Sequence, residues 1–386
     1  MFYNAHVRIL LVIALAFAAS DDALWWQVQN TGIDTNLRGV SVAYAPDGKY
    51  KFVVWASGTN GVIVRSTNEG STWKQLAVEG GRDLDFRDVE AFDSNTAYVM
   101  SSGNGDKSRI YKTENGGESW ELQYSDKRPE FFLDSLTCDS KTQCLALSDP
   151  VDGKFVILNT DDGHHWKELP QDKMPAALPK EGAFAASGTS LAICDLGENI
   201  YFGTGGADVA RVFHSADHGR SWTASETPIA SGNASSGIFS VACGGSLVVA
   251  VGGDYKEPSA AKRVAAYSQD SGATWHLAEA QPGGYRSAAA EFSGGDFEAV
   301  GPNGTDISQG HSGERMHWKH SDSLNLNAVS FCGANGWAVG PKGVVARFRA
   351  PLSATPSQPQ PRTPSKQNPG AEISGRPQPQ SSPHCL

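Results

Sequence analysis

The chain has 386 residues, 42 of them glycine, and a formal net charge of −10 at pH 7. This length allows one large repeat domain or two ordinary domains, so internal repeats have to be sought first. The acidic balance argues against nucleic acid as a partner, because binding to phosphates requires a basic face.

Met1–Ser20 has the order of a secretory signal peptide. Arg8 precedes the apolar run Ile9–Phe17, and Ala16-Phe17-Ala18 provides an A-x-A cleavage site. The run is shorter than the ~20 residues that a membrane-spanning helix needs, and no second hydrophobic stretch follows. We therefore expect residues 1–20 to be a signal peptide and the protein to be secreted or periplasmic. An uncleaved N-terminal anchor is the alternative.

An eight-residue pattern, S-x-D-x-G-x-[ST]-W, returns along the chain. In such an octet the Asp or Asn accepts hydrogen bonds from N–H groups a few residues on, and the Gly takes a positive φ. Each copy therefore predicts a tight turn between two strands. The Asp or Asn and the Trp expected to build these turns are Asn68 and Trp73, Asn115 and Trp120, Asp161 and Trp166, Asp217 and Trp222, and Asp270 and Trp275.

This octet resembles the Asp-box (BNR repeat), which sialidases share with many non-catalytic propellers. The tryptophans of the five copies, and Trp318 in a degraded sixth copy, lie 43 to 56 residues apart. That spacing suits four short strands per repeat. Many short runs rich in Val, Ala, Phe and Ser, without a long amphipathic helical pattern, predict an all-β fold.

Six complete repeats can be laid out as strands A to D, with the octet between C and D. Their A strands are predicted at Leu37–Val42, Phe86–Phe92, Leu133–Cys138, a segment that starts near Ala183 and includes Leu191–Cys194, Ile238–Cys243, and Tyr285–Phe292.

A seventh repeat starts at Leu326–Phe331 and stops after three strands. Its missing D strand is found at the other end of the chain, in Leu24–Gln29. Joining the two ends closes a ring without an exposed edge. We therefore predict a seven-bladed β-propeller over residues 21–350, closed by an N-terminal strand that completes the last blade.

The composition changes at Pro351. Nine prolines fall in the last 36 residues, and Ser, Gln and Thr fill most of the rest. Such a segment buries too little apolar surface to offset its chain entropy. We expect residues 351–386 to be a disordered or polyproline-like tail that serves as a linker, with a docking motif as the alternative.

Six cysteines are compatible with an oxidising compartment. Cys138 and Cys144 flank a predicted hairpin and are a disulfide candidate. Cys194 and Cys243 fall in successive repeats where they can face each other, but sequence alone does not fix the pairing of the last four cysteines, Cys194, Cys243, Cys332 and Cys385. There is no Cys-x-x-Cys, P-loop or dinucleotide fingerprint. We therefore expect no metal and no cofactor.

In a propeller of this strand order, the start of each A strand lines the mouth of the central channel. The polar residues at this position are the predicted ligand-binding set: Arg38, Arg87, Asp134, Arg286 and Asn327. Phe184 and Phe239 add two aromatic rings. Converging arginines favour an anion site, because guanidinium groups hold carboxylates through paired hydrogen bonds. Alternatively, each Arg pairs with a neighbouring carboxylate, such as Asp88, and lines a wet channel.

The region from about Trp25 to Arg349 resembles the propeller family of photosystem II assembly and stability factors. The resemblance rests on Phe86-Arg87-Asp88-Val89, Gly336-Trp337-Ala338-Val339-Gly340 and Lys342-Gly343-Val344, which alternate with the octets. It implies a non-catalytic exported scaffold whose arginine-lined face holds a membrane-protein precursor, with Arg38, Arg87 and Arg286 as the positions that carry over. The expected partner is a protein segment or an anionic ligand, and we expect a monomer.

A sialidase-like or other glycoside hydrolase is the alternative function. Sialidases also place three arginines at the propeller mouth, with a Tyr nucleophile, a Glu partner and an Asp acid/base. Their Phe/Tyr-Arg-Ile-Pro signature is absent, and Leu37-Arg38-Gly39-Val40 replaces it. Tyr285 adjoins Arg286 and Tyr255 adjoins Asp254, but neither has a recognisable Glu companion. No Gly-x-Ser-x-Gly elbow occurs either, and we expect a binding protein rather than an enzyme.

Overall fold

The structure is a computed structural model that describes residues 25–45, 49–309 and 315–349. The predicted signal peptide (1–20) and the predicted Pro-rich tail (351–386) lie outside the described residues. Within the described ranges, 28 strands form seven four-stranded sheets, and each sheet is one blade of the propeller.

In every blade the strands run antiparallel and in order from the channel outwards. The chain begins with β1 (Trp26–Gln29), which belongs to the last blade. The first three blades contain β2 (Leu37–Tyr44), β3 (Phe52–Gly58), β4 (Ile63–Ser66) and β5 (Lys74–Leu76); β6 (Asp85–Ala91), β7 (Ala97–Ser102), β8 (Arg109–Thr113) and β9 (Glu121–Ser125); and β10 (Leu133–Cys138), β11 (Cys144–Val151), β12 (Lys154–Thr160) and β13 (Lys167–Glu168).

The next three blades contain β14 (Leu191–Cys194), β15 (Asn199–Gly203), β16 (Ala210–Ser215) and β17 (Thr223–Thr227); β18 (Ser236–Gly244), β19 (Leu247–Asp254), β20 (Ala265–Ser268) and β21 (His276–Leu277); and β22 (Ala288–Ser293), β23 (Asp296–Gly301), β24 (Gly304–Gln309) and β25 (His317–Asp322). The seventh blade contains β26 (Ala328–Cys332), β27 (Asn335–Val339) and β28 (Val345–Phe348), with β1 on its outer side. Short 3₁₀ turns cover Gly105–Lys107, Asp195–Gly197 and Pro341–Gly343.

The hydrophobic core lies between the blades. Side chains alternate between the two faces of a strand, and both faces of each blade pack against a neighbouring blade. Between the first two blades, for example, Trp55, Phe86 and Tyr111 are buried in one cluster. Burying a side chain of this size stabilises the fold by about 1.5–3 kcal/mol. The propeller is therefore held together by inter-blade contacts rather than by a central core.

The ring closes as the sequence predicts. Strand β1 pairs antiparallel with β28, and Trp26 lies opposite Phe348. The rings of these two residues are 5.2 Å apart between centroids. Trp26 Nε1 also donates a hydrogen bond of 3.2 Å to Glu298 Oε1 in the sixth blade. The prediction of a seven-bladed propeller completed by an N-terminal strand is confirmed.

Four of the five octets form the expected turn. In the first, Asn68 Oδ1 accepts a 2.8 Å hydrogen bond from Thr72 N, and Ser66 Oγ accepts one from Gly70 N. Gly70 has a φ of 81°, the left-handed region that favours glycine. The equivalent carboxylate and amide groups of Asn115, Asp217 and Asp270 accept the same bond from residue i+4.

The octet of the third blade differs from the prediction, which assigned the turn-building role to Asp161. Asp162 Oδ1 accepts the backbone bonds instead, at 2.8 Å from both His164 N and His165 N, and Thr160 Oγ1 accepts from Gly163 N. Asp161 forms an exposed ion pair with Lys167. The reason is that β12 continues to Thr160, so the turn begins one residue later than in the other blades.

Two disulfides join neighbouring elements. The predicted Cys138–Cys144 bond is present and closes the turn between β10 and β11. Cys194 and Cys243, which sequence analysis placed in successive repeats, also form a disulfide. It links the ends of β14 and β18, so the fourth and fifth blades are covalently joined at their innermost strands.

The fourth blade departs from the predicted layout. Its innermost strand was expected to start near Ala183, but β14 begins at Leu191. Residues 184–190 form no strand and are called the channel segment below. They contain Gly188, whose φ is 80°. A Cβ at Gly188 would lie 2.1 Å from the carboxyl group of Asp88, so only glycine fits at this point.

Candidate functional site

The channel segment closes the central channel. Ala185 O accepts hydrogen bonds from Arg38 and Arg87 in the first and second blades. Further along the segment, Ser187 Oγ donates to Ser287 O in the sixth blade at 2.8 Å, and Thr189 Oγ1 donates to Ser240 Oγ in the fifth at 2.8 Å. Gly188 O accepts from Ser135 Oγ in the third. A segment bonded to the inner parts of five other blades must lie across the ring, so the channel has two separate ends.

Arg38 and Arg87 come together at one end, as predicted. Arg38 donates from Nε to Ala186 O at 3.3 Å and from Nη2 to Ala185 O at 3.2 Å. Arg87 donates from Nη1 to Ala185 O at 2.8 Å and from Nε to Asp85 Oδ2 at 2.7 Å. Burial, and next the charge of Arg87, lower the pKa of Arg38. The two cations are therefore close enough to repel each other, as an anion-binding pair would be.

Both arginines retain binding capacity. A guanidinium group has five N–H donors, and each of these two uses only two on partners within the described residues. The Arg87 side chain is 27% exposed. The remaining donors are available to a ligand that approaches from the mouth.

Arg286 does not join them, so its assignment to the ligand-binding set is wrong. Its side chain is 0% exposed and forms a buried ion pair with Asp306, with Nε 2.7 Å from Asp306 Oδ2. Nη1 donates to Asn303 Oδ1 at 2.6 Å and to Tyr285 O at 2.9 Å. Strand β22 begins only at Ala288, so Arg286 lies in the preceding loop, where Asp306 of β24 holds it away from the mouth.

Asn327 has a structural role in this arrangement. Its amide Nδ2 donates to Asn36 Oδ1 and to Leu37 O, both at 2.7 Å. These bonds tie the seventh blade to the first. Both donors of the side chain are used there, and the binding role of Asn327 stays a prediction.

Asp134 lies near the arginines but is covered. It is 1% exposed, and its Oδ2 has no hydrogen-bond partner among the residues that the structure describes. Burial, and next the neighbouring Asp149, raise the pKa of Asp134 well above its usual range, while Arg87 acts in the opposite direction. Burial also raises the pKa of Asp149 to about 6. Asp134 therefore contributes to the field beside Arg87 from a buried position, and its predicted binding role stays a prediction.

An aromatic platform stands beside the arginines. Phe184 stacks on Phe239 with 3.9 Å between ring centroids and an interplanar angle of 13°. The rings of Tyr285 and Tyr255 meet Phe239 edge-on at 4.7 and 6.1 Å. Tyr255 is 47% exposed. Burial raises the pKa of Tyr285, and the charge of Arg38 counteracts it, which places Arg38 next to this platform.

We call the set formed by these two arginines and four rings the mouth site: Arg38, Arg87, Phe184, Phe239, Tyr255 and Tyr285. The sequence predicted Phe184 and Phe239 here, but considered the two tyrosines only as hydrolase candidates. The signal that was missed is that Tyr255 directly follows the second strand of the fifth blade, whereas Tyr285 precedes the innermost strand of the sixth, and both connections lie at the same end of the propeller.

The tyrosine–glutamate pair of a sialidase is not formed by either candidate tyrosine. Neither Tyr255 nor Tyr285 hydrogen-bonds to a glutamate within residues 25–45, 49–309 and 315–349, and Arg286 is buried elsewhere. The same residues contain no cluster of three or more His, Cys, Asp or Glu side chains suited to a metal ion. They also contain no helix long and apolar enough to cross a membrane.

Comparison with protein families gives a match over residues 20–296, to the DUF6242 beta propeller domain. The chain belongs to this family. The match covers most of the ring, and it agrees with the all-β architecture of the DUF6242 propeller described above. No curated protein matches this chain.

Several solved structures share the fold of this DUF6242 propeller. YCF48 bound to D1 peptide is 13% identical, with a TM-score of 0.60, and the match covers 85% of this chain and 97% of that one. Virginiamycin B lyase from Staphylococcus aureus is 14% identical, with a TM-score of 0.57 over 84% and 99% of the two chains. The GH74 xyloglucanase from Xanthomonas campestris is 14% identical, with a TM-score of 0.55 over 83% and 53%. At these identities the likeness concerns the fold alone.

Proposed function

We propose that this protein is a non-catalytic binding propeller that holds a protein segment, or another anionic ligand, at the mouth site. The observation that carries the proposal is the pairing of Arg38 and Arg87, with unused donors, beside the stacked Phe184 and Phe239. Guanidinium groups bind carboxylates and main-chain carbonyls, and aromatic rings supply apolar contact at small entropic cost. Together they suit a peptide that carries acidic groups.

The channel segment supports this choice of ligand. Its own carbonyls, Ala185 O and Ala186 O, already accept bonds from the two arginines. The mouth site thus holds main-chain carbonyl groups of its own chain, and the remaining donors of the same arginines suit those of an external segment. A structural neighbour, YCF48, has been solved bound to D1 peptide. We extend that kind of ligand, a protein segment, to this propeller, and a membrane-protein client is part of the proposal.

A secreted or periplasmic location belongs to the same proposal. Disulfides persist in oxidising compartments and are rare in the cytosol. The Cys138–Cys144 and Cys194–Cys243 bonds therefore support export, together with the signal-peptide pattern of residues 1–20.

The test is recovery of partners from envelope extracts with the full-length protein and with an Arg38→Ala/Arg87→Ala double variant. We expect the double variant to recover at least tenfold less of a specific partner than the wild type, because two charge-assisted contacts are removed. Arg220→Ala is the matched control, since Arg220 is exposed on an octet turn at the opposite face. The purified protein is then titrated with a peptide from the recovered partner, and with the same peptide in which amides replace the acidic side chains. This comparison checks whether the ligand is bound through its carboxylates. Equal recovery by wild type and double variant would contradict the proposal.

A further inference from the structure

The second end of the channel contains a large cavity. It has a volume of about 870 Å³ and lies on the side of the channel segment away from the mouth site. The innermost strands of all seven blades line it, and Ser187, Gly188 and Thr189 of the channel segment close its inner end. Cavities of roughly 300–1,000 Å³ are typical of small-molecule sites in proteins. Half-buried apolar residues such as Ala192, Ile193 and Ala290 form part of its wall.

Glu90 occupies a position in the cavity wall where the first and seventh blades have serine. Ser41, Glu90 and Ser330 occupy equivalent places, each opposite an aromatic residue of the second strand in its blade. Ser41 Oγ accepts a hydrogen bond from Ala91 N at 3.0 Å, and Ser330 Oγ accepts one from Val42 N at 3.2 Å. These serines satisfy N–H groups at the inner edge of the next blade. A glutamate is longer than this task requires.

The Glu90 carboxylate lines the cavity without a counter-ion. It makes no hydrogen bond or ion pair within the part of the chain that the structure describes, although it lies beside Asp88 on the same strand face. Asp88 is itself bonded to Leu136 N at 2.7 Å and to Val89 N at 2.8 Å. Burial raises the pKa of Glu90 to about 8. A bound cation would stabilise the ionised form of a carboxyl group that is buried without a partner.

The remaining charges of the cavity do not neutralise Glu90. The carboxylates that face it from other elements are Asp139 of the third blade, Asp93 after β6, and Glu291 of the sixth blade. Glu291 Oε1 accepts a bond from Gly295 N in its own hairpin at 3.1 Å. The single cationic side chain in the lining, Lys141, is bound to Asp93. The lining of the cavity therefore contains more carboxylate groups than cationic groups, beside apolar walls.

We propose that this cavity binds an organic cation, an ammonium group on an aliphatic chain, with Glu90 as its counter-ion. The apolar walls suit the methylene groups, and the carboxylates at the rim suit further ammonium groups of a polyamine. A metal ion fits less well, because the described residues offer no cluster of three or more ligating side chains. This site is separate from the mouth site and does not depend on the proposed function.

Calorimetric titration of the full-length protein with spermidine tests the proposal. At pH 8.5 and low salt we expect saturable binding, weakened at least tenfold in Glu90→Gln. At pH 6.0 the wild-type affinity should fall more than tenfold, because the carboxyl group of Glu90 is then protonated, whereas Glu90→Gln should respond little to pH. The variant is expected to fold, since glutamine has the shape of a protonated glutamate, and its thermal unfolding checks this.

Glu130→Gln is the matched control, because Glu130 is exposed outside the cavity and loses the same charge. Its spermidine affinity should equal that of the wild type. The proposal is overturned if wild-type protein shows no saturable binding, or if Glu90→Gln binds as tightly as wild type. It is equally overturned if Glu130→Gln loses as much affinity, or if Mg²⁺ displaces spermidine at equal concentration, since either result indicates general charge attraction.

Discussion

Arg286 and Arg38 stand at corresponding places in two repeats, yet their side chains end in different surroundings. Arg38 meets carbonyl groups of the channel segment, and Arg286 meets the carboxylate of Asp306. The sequence predicts which residues begin the innermost strands. It does not predict the direction of a long side chain, because that depends on a partner about twenty residues away in another strand.

We expect Arg286→Ala to destabilise the protein by about 3–5 kcal/mol, because Asp306 would remain buried without its counter-ion. Urea unfolding of the purified variant measures the change. The Arg220→Ala control removes an exposed arginine and should stay within about 0.5 kcal/mol of wild type. A loss below 1 kcal/mol for Arg286→Ala would show that Asp306 finds another partner, and would reopen a role for Arg286 outside the core.

The same reasoning explains the success and the error among the octets. A short pattern that satisfies its own backbone, as in Ser66–Thr72, is readable because all its partners lie within the pattern. In the third blade two successive aspartates, Asp161 and Asp162, both suit the role. The end of the preceding strand decided between them, and the octet alone does not reveal where that strand ends.

At the scale of elements, the strands were largely predictable and the channel segment was not. Regular spacing of the octets locates the outer strands, and alternating apolar residues locate the inner ones. Residues 184–190 consist of small side chains and phenylalanine in a pattern that also suits a strand. They cross the channel because they form hydrogen bonds with side chains from four different blades, namely Arg38, Arg87, Ser135 and Ser240.

Strand β1 offers a direct test of how much one short element contributes. Trp26 is almost fully buried and donates to Glu298, so we expect Trp26→Ala to cost about 3–5 kcal/mol. Val28 is on the same strand but 54% exposed, and Val28→Ala should change stability by about 0.5 kcal/mol or less. Urea unfolding of both variants provides the comparison. Similar losses for the two would mean that β1 is held by its backbone pairing alone.

At the scale of the whole molecule, buried carboxyl groups link stability to pH. Burial raises the pKa of Glu90 and of Glu298 to about 8, and that of Asp149 to about 6. At pH values between the ordinary carboxyl pKa and these raised pKa values, the folded protein therefore binds more protons than the unfolded chain. Stability should then fall as pH rises through this window.

We expect a higher thermal midpoint at pH 5.5 than at pH 8.5, measured by circular dichroism in buffers of equal ionic strength. Glu298→Gln should reduce the difference, because glutamine cannot ionise beside Trp26. Glu130→Gln, which alters an exposed group, should leave the difference unchanged. A midpoint that rises towards pH 8.5 would mean that these carboxyl groups ionise freely in the folded state.

The overall architecture was the most predictable feature of this protein, and the ligand site was the least. Seven similar units and a split last blade follow from repeats that can be counted in the sequence. The mouth site depends instead on which side chains the loops leave free. Of five residues assigned to it by position, Arg38 and Arg87 lie at the mouth with unused donors, whereas Asp134, Arg286 and Asn327 are covered or engaged elsewhere.

The closure of the ring also sets an order of events during synthesis. Trp26 leaves the ribosome among the earliest described residues, whereas its strand partner Phe348 is among the latest. The first strand must therefore wait, unpaired, until almost the entire chain has been made. A polypeptide that terminates before Val345 would keep six of its blades and still lack β28, the inner neighbour with which β1 pairs.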